Sequence, residues 1–226
     1  MKSTTPPNQH RQRQDESPID IDSLRRRLPA WLQYFLPSGG GHHHREEDKS
    51  VFGFVIFLLS ESIVFVSFFI AYIALRYIST NWLPPGIPPL ELLRPGINTI
   101  VLVSSSFVIY FAEKALKRGK INKFRLLWLA TSAMGLFFLI GTLREWNSLS
   151  FSITTGLFGA TFYILTGFHA LHVSVGILLQ IVMLFRSFLP GNYQKGHFGI
   201  TAASLFWHFV DIIWIILFLL VYVWRP

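Results

Sequence analysis

Hydrophobic positions along this chain fall into five long blocks with little polar interruption, separated by short clusters of charged, proline-containing or glycine-containing residues. The blocks run over 51–76, 96–116, 124–144, 157–186 and 198–224. Each meets the roughly 20 residues that a helix needs to cross a hydrocarbon core of about 30 Å. None shows the strict apolar–polar alternation of an outer-membrane barrel strand. The pattern predicts an all-α, polytopic membrane protein: a five-transmembrane-helix bundle over 51–226 behind a largely disordered leader, 1–50. Within that leader, Leu24, Leu28, Trp31, Leu32 and Phe35 recur at helical spacing beside Arg25, Arg26 and Arg27. This suggests an interfacial helix over 23–37. The run from Gly39 through His42, His43 and His44 to Lys49 reads as a solvated linker rather than a metal site. The first block begins behind a polar segment, so no signal peptide is expected.

Composition supports this division: 51% of the 226 residues are hydrophobic. The net charge of +8 would by itself invite nucleic acid. Its distribution argues otherwise. If the spans alternate, sixteen of the 20 Lys and Arg fall on one side, in the leader, in the 114–125 connection and at Arg186 and Lys195. Arg76, Arg94, Arg144 and Arg225 fall on the other. The positive-inside rule then predicts a cytoplasmic N-terminus and an outside C-terminus. No nucleic-acid partner is implied. Cysteine is absent, which removes disulfides, iron–sulfur ligation and thiolate-bound copper from this chain.

Ionisable residues inside the blocks are the candidate chemistry, because each costs about 2.5–3.5 kcal/mol at bilayer depth on insertion scales. Glu61 sits mid-block between Ser60 and Ser62. It suits either a proton-relay carboxyl or a neutral acid hydrogen-bonded in a helix interface. His169 and His172 are three residues apart, with Thr166 one turn before His169. They suit interhelical hydrogen bonds or, less well for want of carboxylates, metal ligation. His208 and Asp211 repeat that spacing, flanked by Trp207 and Trp214, and suggest a local His–Asp pair. A triad using Ser204 lacks any sign of an oxyanion hole. Bis-histidine haem would need a cavity lined by small residues; Gly156, Gly159, Gly167 and Gly176 serve close helix packing equally well.

Two strings carry a family resemblance. Thr166-Gly-Phe-His169-Ala-Leu-His172-Val resembles a signature of subunit III of the haem–copper cytochrome oxidases, with Ala170 where a glycine is common. Trp207-His208-Phe-Val-Asp211-Ile-Ile-Trp214 is similar to that family's closing helix, and Leu59-Ser60-Glu61 resembles its Ser-Glu motif. The similarity covers roughly 50–226. Thr166, Gly167, Trp207 and Trp214 are its packing and signature positions. Well-known members have seven helices, two plus five around a lipid-filled cleft; this chain resembles the short five-helix bacterial form.

The resemblance implies an accessory subunit without catalytic residues or redox centre of its own, part of a cytochrome c oxidase that passes electrons to O2 and translocates protons. Haem and copper are then expected in partner subunits, subunit I in direct contact and subunit II in the same complex. Bound phospholipid is a further expectation, in a bacterial cell membrane or internal respiratory membrane. Glu61 would be a proton-supporting carboxyl bonded to His172 or His169. A quinol oxidase or nitric oxide reductase cluster would use a related subunit. A self-contained proton or ion carrier built on Glu61, His169, His208 and Asp211 is the alternative outside the family.

Overall fold

The computed structural model describes residues 42–83, 90–189 and 198–224. The expected interfacial helix at 23–37 and His197 lie outside the described residues. The described residues contain five helices, all long and apolar enough to cross a membrane, and no strand. They are α1 His42–Ile78, α2 Leu93–Lys117, α3 Ile121–Ser148, α4 Gly156–Arg186 and α5 Phe198–Phe218. A π-helical turn, Leu219–Val223, continues α5.

Helix ends depart from the hydropathy reading. α1 begins at His42 instead of 51, inside the segment read as a linker, and α3 continues to Ser148 instead of 144. α2 begins at Leu93, so Pro95 lies within its first turn. Proline is tolerated there because the first turn's N–H groups have no partner within the helix. Hydropathy marks where the chain leaves the hydrocarbon, whereas the backbone ladder can continue through polar residues beyond it.

Connections are built from turn chemistry. Gly119 takes φ +70° after α2. Its N–H donates to the Leu116 carbonyl at 2.8 Å, and the Lys120 N–H donates to the Ala115 carbonyl at 3.0 Å. These two bonds form a Schellman motif, which reverses the chain within a few residues and sets α2 and α3 antiparallel.

Between Gly53 and the C-terminus, α2 packs on α3, α3 on α4, α4 on α5 and α5 back on α2. α1 joins this ring mainly through long side chains and is the least buried span, whereas α5 is the most buried. Two indoles of α5 hold the ring together. The Trp207 N–H donates to Ser105 Oγ of α2 at 2.8 Å. Its ring edge lies where a Cβ on Gly135 of α3 or Gly176 of α4 would be, at 2.5 and 2.9 Å. Seven residues on, the Trp214 N–H donates to Thr99 Oγ1 of α2 at 2.9 Å. Its ring meets Phe138 of α3 at 4.7 Å and His169 of α4 at 4.8 Å. Both indoles are almost wholly buried. Each therefore satisfies its polar edge on α2 and spends its apolar faces on α3 and α4.

Candidate functional site

The intramembrane acids and histidines separate into two polar contacts and one sealed ring. At the first contact, Glu61 Oε2 of α1 lies 3.3 Å from His172 Nε2 of α4. The other ring nitrogen, His172 Nδ1, is 2.9 Å from the Phe168 carbonyl in its own helix. A carbonyl only accepts, so Nδ1 carries the hydrogen and Nε2 faces Glu61 as the variable position. One proton then suffices for this contact: a Glu61 O–H donating to Nε2, or an imidazolium N–H donating to the carboxylate. Phe65, Phe168 and Phe206 surround the imidazole, with centroids at 4.9, 4.7 and 6.2 Å. Glu61 and Phe65 are one turn apart on α1, so a single face of that helix supplies both acid and ring.

The second contact joins α5 to α2. Ser106 Oγ donates to Asp211 Oδ2 and lies 3.0 Å from His208 Nδ1. A hydroxyl has one proton. While Ser106 donates to the carboxylate, it accepts from His208 Nδ1–H; if the order reverses, a protonated Asp211 donates to Ser106 and Ser106 donates to Nδ1. The local His–Asp pair expected from spacing is thus replaced by a serine bridge. Among the described residues, no ion pair joins the two directly. Ser204, the serine that a triad would use, lies against Glu113 of α2 instead.

His169 belongs to neither contact. It is wholly buried between Trp214 and Phe138, and its two nitrogens have no hydrogen-bond partner among the described residues. Three-residue spacing puts about 60° between His169 and His172 around the helix axis. That angle is enough to send one ring into the α3–α5 side and the other to α1. No group of three or more His, Cys, Asp or Glu converges among the described residues, so those present do not assemble a metal site. The signature residue Thr166 is buried and returns its hydroxyl to the Phe162 carbonyl at 2.7 Å.

Residues 30–226 match the family model described as cytochrome c oxidase subunit III. The chain belongs to the cytochrome c oxidase subunit III family. The cytochrome c oxidase subunit 3 of Synechocystis is 47% identical over 176 residues, covering 77% of this chain and 76% of that protein. That of Thermostichus vulcanus is 44% identical over 177 residues, with 78% and 88% covered. The mouse protein is 39% identical over 179 residues, with 76% and 69% covered. Subunit III is an accessory subunit of the haem–copper oxidases and an integral membrane protein, and the five spans here fit that description.

Within this subunit III fold, sequence reasoning missed the α2 side of the site. Thr99, Ser105 and Ser106 receive or bridge the polar groups of Trp214, Trp207, His208 and Asp211. The available signal was the run Ser104–Ser106 in an otherwise apolar span. A second missed contact ties α3 to α4, where Ser132 Oγ donates to Gln180 Oε1 at 2.8 Å and the Trp128 N–H donates to the Gln180 carbonyl at 2.8 Å.

Proposed function

We propose that this chain is the non-redox subunit III of a bacterial cytochrome c oxidase, bound directly to the catalytic subunit I, with subunit II in the same complex. Haem and copper reside in those partners, and electrons arrive from cytochrome c. The chain itself catalyses no step. It stabilises subunit I and supports proton uptake into it, with its N-terminus cytoplasmic and its C-terminus outside.

The Glu61–His172 contact is the observation that carries the proton-supporting part of this reading. Its fixed Nδ1–H tautomer leaves one exchangeable proton between a carboxylate and an imidazole, 3.3 Å apart inside a span. Such a pair holds a proton at membrane depth without stranding a lone charge, which the hydrocarbon penalises. Ser106, His208 and Asp211 supply a second such element on α2 and α5; Thr166, His169, Trp207 and Trp214 act in packing. Family membership and the five apolar spans support the oxidase assignment.

The test is recovery of the full chain from its own membrane in mild detergent, followed by an optical spectrum and metal analysis. Co-recovery with a haem- and copper-bearing subunit that oxidises reduced cytochrome c is the expected result. A complex that accepts electrons only from quinol would move the donor, and recovery of a lone, metal-free chain would overturn the reading.

A further inference from the structure

The α2–α3 hairpin lines a cavity of about 270 Å³ that is open on one side. Its lining includes Lys114 and Arg118 of the α2 end, Lys120 and Lys123 of the α3 start, and the apolar Phe111 and Leu127. The Schellman turn at Gly119 folds the two helix ends back and brings these four cations together. Other basic residues are engaged elsewhere: Arg94 with Glu91 at 3.6 Å, Lys117 beside Glu113, and Arg125 on Ser187 at 3.1 Å. Among the described residues, no carboxylate lies within ion-pair distance of Lys114, Arg118, Lys120 or Lys123.

Helical spacing gives the walls a direction. Phe107, Phe111 and Lys114 follow one another at offsets of four and three, so they form a single stripe on α2, and the capping residue Arg118 follows at its end. Lys123 and Leu127 stand one turn apart on α3, with the capping residue Lys120 just before them. On both helices the cations stand at the hairpin end and the apolar residues lie deeper in the span. Phe107 and Phe111 are strongly exposed. A charge asymmetry that only orients the chain needs cations at this end, but it needs neither a shared cavity nor an apolar floor descending from it.

We propose that this cavity binds the phosphate headgroup of an anionic phospholipid, with its acyl chains descending past Phe111 and Phe107. Basic pockets between membrane helices are suited to such headgroups. Because the cavity is open on one side, a phosphate can seat among the cations while the acyl chains leave it along Phe111 and Leu127. Both walls come from one hairpin, so the site needs no cleft between helix groups. It depends on the membrane-spanning fold and not on which oxidase the chain serves.

The experiment is native mass spectrometry of the full chain in its purified complex, titrated separately with dioleoyl phosphatidylglycerol, dioleoyl phosphatidylcholine and inorganic phosphate. Wild type is expected to retain phosphatidylglycerol in preference to phosphatidylcholine. The variant Arg118→Gln/Lys120→Gln should bind it about 25-fold more weakly, at roughly fivefold per cation. Lys49→Gln/Lys117→Gln removes the same charge outside the cavity and should leave binding within about twofold, on the order of a few tenths of a kcal/mol. Equal retention of the two lipids overturns the proposal, as does an equal loss in the control variant. Phosphate binding without any gain from the diacyl lipid overturns it too, since the site would then hold a free anion. The wild-type comparison of lipids stands even if a variant fails to assemble.

Discussion

A hydroxyl has a single proton to give, and at Ser106 two ionisable neighbours depend on where it points. Removing that hydroxyl leaves Asp211 Oδ2 and His208 Nδ1 without their partner inside the membrane. Ser106→Ala should therefore lower bundle stability by about 1–3 kcal/mol, whereas Ser104→Ala should stay within about 0.5 kcal/mol; thermal unfolding of the purified protein measures both. The importance of Ser106 was not legible from residue type. Ser60, Ser62, Ser67 and Ser174 return their hydroxyls to carbonyls three or four residues back in their own helices, which is the ordinary fate of serine in a membrane span. Glu61, His172, His208 and Asp211 stood out because charge at that depth is expensive, a property each residue has on its own. Bridging is a relation between helices and leaves no mark in one of them. At Glu61, size and chemistry can be separated. Glu61→Gln keeps a donor for His172 Nε2 and should change stability by less than about 0.5 kcal/mol, whereas Glu61→Ala should cost about 0.6–1.7 kcal/mol. If the pair supports proton uptake, both variants should shorten the turnover lifetime of the oxidase. Restoration of wild-type lifetime by Glu61→Gln would reduce the pair to packing.

At the scale of elements, the five helices were readable because a membrane span is a composition before it is a contact: about 20 apolar residues suffice. Their packing was less readable, since lipid tails and neighbouring helices accept the same apolar side chains. Glycine shows the difference. Gly167 stood out within a signature string, yet a Cβ there would meet only Trp146, at an ordinary 3.7 Å. Gly135 had no such context, and a Cβ there would enter the Trp207 ring at 2.5 Å. Gly135→Ala and Gly176→Ala should each destabilise the bundle by about 1–3 kcal/mol through overpacking. Gly167→Ala should be neutral or stabilising by up to about 1 kcal/mol, because alanine is the better helix former. A double-mutant cycle makes the cause explicit. In a Trp207→Phe background, the cost of Gly135→Ala should shrink by at least about 0.5 kcal/mol, the level at which neighbouring sites cease to be additive. If the two losses simply add, Trp207 is not what Gly135 makes room for.

For the whole molecule, the quantity to measure is which face of the membrane each end occupies, and the chain's composition makes that measurement simple. It contains no cysteine, so a single introduced thiol reports from one position without background. Asn122 and Asn147 are exposed near opposite ends of α3. If the five spans alternate, the two termini lie on opposite sides, and the proposed orientation, drawn from the excess of Lys and Arg in the leader and the α2–α3 hairpin, puts those segments in the cytoplasm. Asn122→Cys should therefore react with a membrane-impermeant maleimide only in inside-out vesicles, and Asn147→Cys only in right-side-out ones. Labelling of both thiols in both preparations would mean that α3 does not span. The opposite assignment would place sixteen of 20 cations outside, against a bias that acts during insertion and is independent of any oxidase function. It would also turn the basic hairpin cavity to the outer leaflet, so the same two thiols decide which leaflet must supply its anionic lipid.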